Sequence, residues 1–136
     1  MRERRRGREA ALQMLFEIDA ANLSHEAAIA DYWEHLASSH EGREFADTLV
    51  RGVCRDLERI DGIIRGVSRN WRIERMGRVD RNVIRLATFE LEHMHDIPRR
   101  VTLNEAVELA KRYGSEQSAA FVNGVLDRIA SDLGKD

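Results

Sequence analysis

An all-α bundle is the fold class this sequence predicts, and three observations carry it. Apolar residues recur at spacings of three and four along most of the chain, the period of a helix with one buried face. Valine and isoleucine rarely alternate with polar residues, so no strand pattern competes. Pro98 is the only proline in 136 residues, which leaves long stretches free of helix breakers.

The first helix is expected from about Arg8 to Ala21, with Leu12, Leu15, Phe16 and Ile18 as its apolar stripe. Asn22 to Ser24 make a turn, and Ser24 caps a second helix through about Ala37 that carries Ile29, Tyr32, Trp33 and Leu36. Ser38 to Gly42 is polar and turn-rich. A long third helix follows, burying Phe45, Leu49, Val53, Leu57, Ile60 and Ile64, and a shorter element surrounds Trp71. Asp80 reads as the N-cap of the next helix, with Val79 stapled to Ile84. That helix turns Ile84, Ala87, Leu91 and Met94 inward and ends near His95. Thr102-Leu-Asn-Glu105 reads as a capping box, opening a helix that Gly114 ends as a left-handed cap. Ser115 caps the last helix, which carries Phe121, Val122, Val125, Leu126 and Ile129 and is followed by Gly134. Seven helices with short loops and no repeat make a single bundle domain over residues 1–136.

Composition narrows the function classes. Apolar content is 43% and charged content 34%, an ordinary mix for a soluble helical protein. The apolar runs are too short for a membrane span, and Glu9, Gln13, Glu17 and Asp19 interrupt any signal-like stretch behind the basic start. A lone Cys54 cannot form an internal disulfide and fits a reducing cytoplasm; between Val53 and Leu57 it reads as an inert core thiol.

No catalytic, metal or cofactor site emerges. Glu90-Leu-Glu-His93 and Glu92-His-Met-His95 match the Glu-x-x-His spacing of di-iron bundles, but that site needs the motif on two helices. Both copies fall on one helix near its C-terminus, where histidines complement the dipole. Neither a nucleophile elbow nor a phosphate-binding glycine loop occurs. Trp33 and Trp71 read as core side chains, with base stacking the alternative. Gly124 costs about 1 kcal/mol against alanine inside a helix, and close helix packing is its expected reason. Asn123 either bonds a neighbouring backbone or faces a ligand.

Charge is distributed unevenly. Arg2, Arg4, Arg5, Arg6 and Arg8 stand against Glu3 alone, a local charge of +4 in a chain of formal charge −2, which leaves −6 on residues 9–136. Helix energetics disfavour cations at this end, where the dipole attracts anions. A frayed, solvated charge run is one explanation and a polyanion-binding arm is the other. Arginine favours the second, because its planar guanidinium grips phosphate with two bonds and stacks on bases.

Three stretches together resemble one family. They are Arg4-Arg-Arg-Gly-Arg-Glu-Ala-Ala-Leu-Gln-Met-Leu-Phe16, the run from Arg78-Val-Asp-Arg to Phe89-Glu-Leu91, and Leu103-Asn-Glu-Ala-Val-Glu-Leu-Ala-Lys-Arg-Tyr-Gly114. Ile97-Pro98 precedes the third stretch, and Ser118 and Phe121-Val-Asn-Gly-Val-Leu-Asp127 follow it. The order and spacing resemble the NusB family of bacterial transcription antitermination factors over nearly the whole chain. The resemblance implies two packed three-helix groups plus one extra helix. It implies a small-subunit ribosomal protein, NusE, as partner, and the boxA element of nascent RNA as ligand. The pair would help RNA polymerase resist termination, notably on ribosomal RNA operons.

By that analogy the arginine arm contacts RNA, Gln117 and Phe121 lie in the same RNA-facing region, and Asp80 lies toward the ribosomal protein. An acid is common in relatives where Gln117 stands here, and the amide removes one repulsion from phosphate. Two alternatives stay open. Ribosomal RNA cytosine methyltransferases carry a domain of this type, although a chain stopping at Asp136 has no room for a nucleotide-binding sheet. The second is a protein-binding module, including a homodimer that buries the arm.

Overall fold

The computed structural model describes residues 2–136, and every regular element among them is helical. There are seven α-helices: α1 Arg2–Ala21, α2 His25–Asp31, α3 Arg43–Arg55, α4 Leu57–Val67, α5 Arg78–His93, α6 Arg99–Tyr113 and α7 Ser118–Asp132. A π-helical turn, Tyr32–Leu36, extends α2, and a 3₁₀ turn, Ile73–Arg75, precedes α5. Helices α1, α2 and α3 pack on one another, as do α5, α6 and α7, while α4 lies against α5 and α7. Two three-helix groups and one additional helix result.

The apolar stripes meet in one core. Leu12 and Leu15 from α1, Leu49 and Val53 from α3, Ile60 and Ile64 from α4 and Ile84 from α5 are all buried, with Leu126 and Ile129 of α7. Helix α5 is the central strut, buried on most of its circumference because every other group leans on it. Trp33 is buried and its indole N–H donates to Asp47 at 2.7 Å, so a core tryptophan keeps its polar end satisfied. Cys54 is half-buried and burial pushes its thiol up, which fits an inert sulfur.

Several local expectations need correction. Helix α1 begins at Arg2 rather than near Arg8, so the arginines are helical residues and not a preceding tail. The expected long third helix is two helices broken at Asp56, whose carboxylate takes the guanidinium groups of Arg55 and Arg59. The break restarts the helical phase, so Leu57 is partly exposed while Ile60 and Ile64 remain inside. Leu36 also faces outward, carried off the core by the π turn.

Caps differ too. Ser24 caps α2 as expected, accepting from the Ala27 amide. Asp80 does not cap α5: the helix starts at Arg78 behind Gly77, which leaves Asp80 in the first turn as a dipole partner. Helix α6 starts at Arg99 behind Pro98, three residues before Thr102, so no box forms, and Thr102 and Glu105 turn their side chains to α5 and α1. Gly114 ends α6 in extended rather than left-handed backbone, and a Cβ there would meet Ser118. Helix α7 starts at Ser118, whose hydroxyl accepts from the Ser115 amide, so Ser115 precedes the helix without capping it. Gly124 has open space around its Cβ position, so close helix packing is not its reason.

Candidate nucleic-acid interface

The arginines of α1 occupy its first two turns, and each of the five faces an acid. Arg2 and Arg6 approach Glu41 at 3.6 and 3.8 Å, Arg4 reaches Asp96 at 3.2 Å, and Arg5 grips Glu105 with two bonds of 3.1 and 2.8 Å. Arg4 also lies over the Phe45 ring. These partners lie on α5's exit, on α6 and in the turn before α3, so the arm is fastened to three neighbours. The Arg5 guanidinium holds the Glu105 carboxyl below its usual range. Arg2, Arg5 and Arg6 are exposed and Arg4 is partly so, and ion pairs at such a surface add little to stability. A phosphate competes easily for such guanidinium groups.

Arg8 is different, and its place in the arm is corrected by its burial. It is 3% exposed and forks onto Glu90 of α5 with bonds of 2.7 and 2.8 Å, while Thr102 of α6 donates to the same carboxylate. Its guanidinium is sealed between α1, α5 and α6, out of reach of a phosphate. The helical spacing explains this: Arg8 falls on the same face as Leu12 and Leu15, so the stripe that buries them buries it.

Helices α1 and α5 run antiparallel, pinned by Arg8–Glu90 at one end and Arg81–Asp19 at the other, 2.7 Å apart. Eleven residues of α1 separate the pins, roughly 16 Å at helical rise. Asp80, Gln117 and Phe121 stand together at the far end, where they line one groove with Trp71 and Arg75. The structure thus brings Asp80 to Gln117 and Phe121, and places none of the three beside the arginines of α1. Between the ends, Leu12, Phe16, Val79 and Tyr113 line a shallow apolar trough along α1. Gln13 and Tyr113 also border the depression that holds Arg6, so arm and trough adjoin. The groove at Phe121 shares no lining residue with the trough, and the two approach through the neighbours Val79 and Asp80.

The far groove is framed by a rigid connection. Arg81 donates to the carbonyl oxygens of Ile73, Glu74 and Met76, while Ile73 and Met76 are buried beneath. Asp19 orients Arg81 and also accepts from Asn82 and Arg85. Burial pushes the Asp19 carboxyl up, but the bonds from Arg81 and Asn82 outweigh it and hold the group below its ordinary value. A depressed carboxyl contributes stability that is present above its unfolded value, about 3.9, and lost as pH falls through the folded one. We therefore expect the stability gap between wild type and Asp19→Asn to close as pH is lowered below about 4. Urea midpoints measured across the acid range check this, and a gap constant to the lowest pH would contradict it.

Trp71 is 58% exposed, against the expectation of a core position, and meets Phe121 edge to face at 5.9 Å. Charge clustering was the signal that could have found it: Arg65, Arg69, Arg72, Arg75 and Arg78 surround it against Glu74 alone. Asn123 and Gly124 are exposed on α7. On α5, Glu90 is committed to Arg8 and Glu92 to Arg59, and no group of three or more candidate metal ligands occurs among the described residues. No helix among them is long and apolar enough to cross a membrane.

Known proteins share this sequence and this fold. The family model described as NusB family matches residues 5–131. A transcription antitermination protein NusB from Sorangium cellulosum is 56% identical over 135 residues, covering 99% of this chain and 96% of that protein. The solved structure of NusB from T. maritima is similar at a TM-score of 0.86 and 41% identity, over 95% of this chain and 91% of that one. A crystal structure of antitermination factors NusB and NusE in complex with dsRNA aligns at a TM-score of 0.85 and 30% identity, over 97% and 98%.

Proposed function

The chain belongs to the NusB family, and we propose that it is a transcription antitermination factor that binds boxA RNA together with the ribosomal protein NusE. In this reading it supports ribosomal RNA transcription in the cytoplasm as part of an RNA polymerase antitermination complex. It acts as a non-enzymatic adaptor, with residues 1–136 as a single RNA-binding domain.

The observation that carries the reading is the row of exposed arginines at the start of α1 beside a trough along that helix, with an aromatic groove at Phe121 and Gln117 toward its other end. Phosphate contacts position a strand and exposed aromatic rings receive its bases. Arg2, Arg4, Arg5 and Arg6 form the phosphate-contacting set, and Arg8 supports them from below. Asp80, at the groove's rim, and the acidic remainder of the chain suit a basic ribosomal protein. The structure solved with NusE and dsRNA supports the partnership by analogy.

Four phosphate contacts predict that log K falls against log salt with a slope of roughly −3 for a single strand. Arg4→Ala, Arg5→Ala and Arg6→Ala combined should weaken boxA binding and reduce that slope by about 2, with helicity by circular dichroism unchanged. The titration is run with and without NusE, beside a scrambled RNA. Strong NusE binding with no RNA contribution would replace this reading by a protein-binding module. Light scattering on the free chain tests the homodimer, which would mask the same arginines.

A further inference from the structure

The second arginine cluster differs from the first in one physical respect. Residues 65–78 carry five arginines and one glutamate, the same +4 as residues 1–8. All five arginines of α1 face an acid within 4 Å. In the second cluster only Arg65 does so, toward Glu74 at 3.4 Å; Arg69, Arg72, Arg75 and Arg78 are exposed with no acid at that distance among the described residues. Among the described residues, the arginines around Trp71 are therefore mostly without an acidic partner, while those of the helix start are all paired.

Trp71 stands between two depressions. One contains Phe121 and Arg75; the other contains Arg69 and Arg72. An indole left in water gives up a large burial gain, so its exposure asks for a ligand that covers it. The backbone that carries the ring is nonetheless held. The Trp71 backbone amide donates to the Ser68 carbonyl at 3.1 Å, the Ser68 hydroxyl donates to the Ile64 carbonyl at 2.7 Å, and Phe121 meets one edge of the indole. Arg81 ties down the following turn. The backbone share of the ordering cost is thus met before any ligand arrives. A flat rigid ring flanked by unpaired guanidinium groups is the chemistry that holds single-stranded nucleic acid, with a base on the ring and phosphates on the arginines.

We propose that Trp71, with Arg69, Arg72 and Arg75, is a base-stacking subsite that holds the far end of the same single-stranded RNA whose near end meets α1. The proposal rests on the RNA-binding reading above and adds a second anchor to it. An acidic protein segment is the competing occupant, and the test separates the two.

The test uses the full chain and single-stranded boxA RNA, read by tryptophan fluorescence and by affinity. Trp33 is buried, so quenching on RNA addition reports Trp71. Trp71→Phe should abolish the quenching and keep most of the affinity, since phenylalanine still stacks. Trp71→Ala should weaken binding roughly 5- to 150-fold. Arg69→Ala, Arg72→Ala and Arg75→Ala combined should lower the salt slope by about 2. Both alterations lie on exposed positions, and circular dichroism confirms the fold.

Unchanged affinity and slope in these variants, while the α1 triple variant is impaired, would overturn the subsite and leave the RNA-binding reading standing. Absence of any RNA binding by wild type, alone or with NusE, would end both. If Trp71→Ala loses NusE and leaves RNA affinity of the free chain intact, the patch is a protein contact and the proposal is wrong.

Discussion

Replacing Arg8 with alanine is expected to destabilise the protein by about 3–5 kcal/mol, lowering its melting temperature by roughly 10–20 °C. The value follows from what remains behind. Glu90 is 2% exposed, and both its oxygens lie on the Arg8 fork, with Thr102 on one of them. Removing the guanidinium strands a carboxylate among α1, α5 and α6 with one hydroxyl for company. A buried carboxylate without its cation carries its full desolvation cost, which is the source of the loss. Removing both charges is different: Arg8→Met with Glu90→Met should recover most of the loss, because a buried ion pair roughly breaks even with apolar packing. That double variant, once folded, should bind RNA nearly as wild type, since Arg8 lies beneath the interface. A destabilisation under 1 kcal/mol in Arg8→Ala, or a folded double variant blind to RNA, would contradict the assignment.

Arg8 also shows what the chain's pattern conveys and what it conceals. The stripe Leu12 and Leu15 was legible, because apolar residues declare the buried side of a helix by their period alone. A charged residue on that same side is ambiguous until its partner is known, and Glu90 stands 82 positions away. Thr102 and Glu105 failed as a cap for a related reason. The motif was present, but Pro98 opens the helix earlier and both side chains serve tertiary partners. The break at Asp56 carries no proline or glycine, so local propensity is silent there; the fold needs α4 turned back onto α5 and α7. Trp71 went unread because tryptophan's usual place is the interior, and only its five neighbouring arginines argued otherwise.

Gly42→Ala is the second large effect, expected to cost about 2–5 kcal/mol and to weaken RNA binding in whatever remains folded. Gly42 has φ 77° and ψ 9°, in the left-handed region, where a side chain adds about 1–2 kcal/mol of strain. Space is the larger obstacle. A Cβ there would lie 2.4 Å from the Glu3 carbonyl oxygen and 2.6 Å from the Gly7 amide nitrogen, both backbone atoms of α1 that cannot swing aside. Gly7 reciprocates, since its own Cβ would meet the Gly42 carbonyl at 2.9 Å. The two glycines let the start of α1 rest on the start of α3, so a methyl group between them pushes the first turns of α1 outward. Arg2, Arg4, Arg5 and Arg6 ride on those turns and lose their register along the trough. Gly42→Asn separates the two causes, because asparagine tolerates left-handed backbone but still carries a Cβ. If steric contact dominates, asparagine and alanine are equally damaging in urea unfolding and in RNA titration. A mild asparagine variant would instead assign the cost to backbone conformation, and a neutral alanine variant would mean that α1 and α3 do not approach this closely in solution.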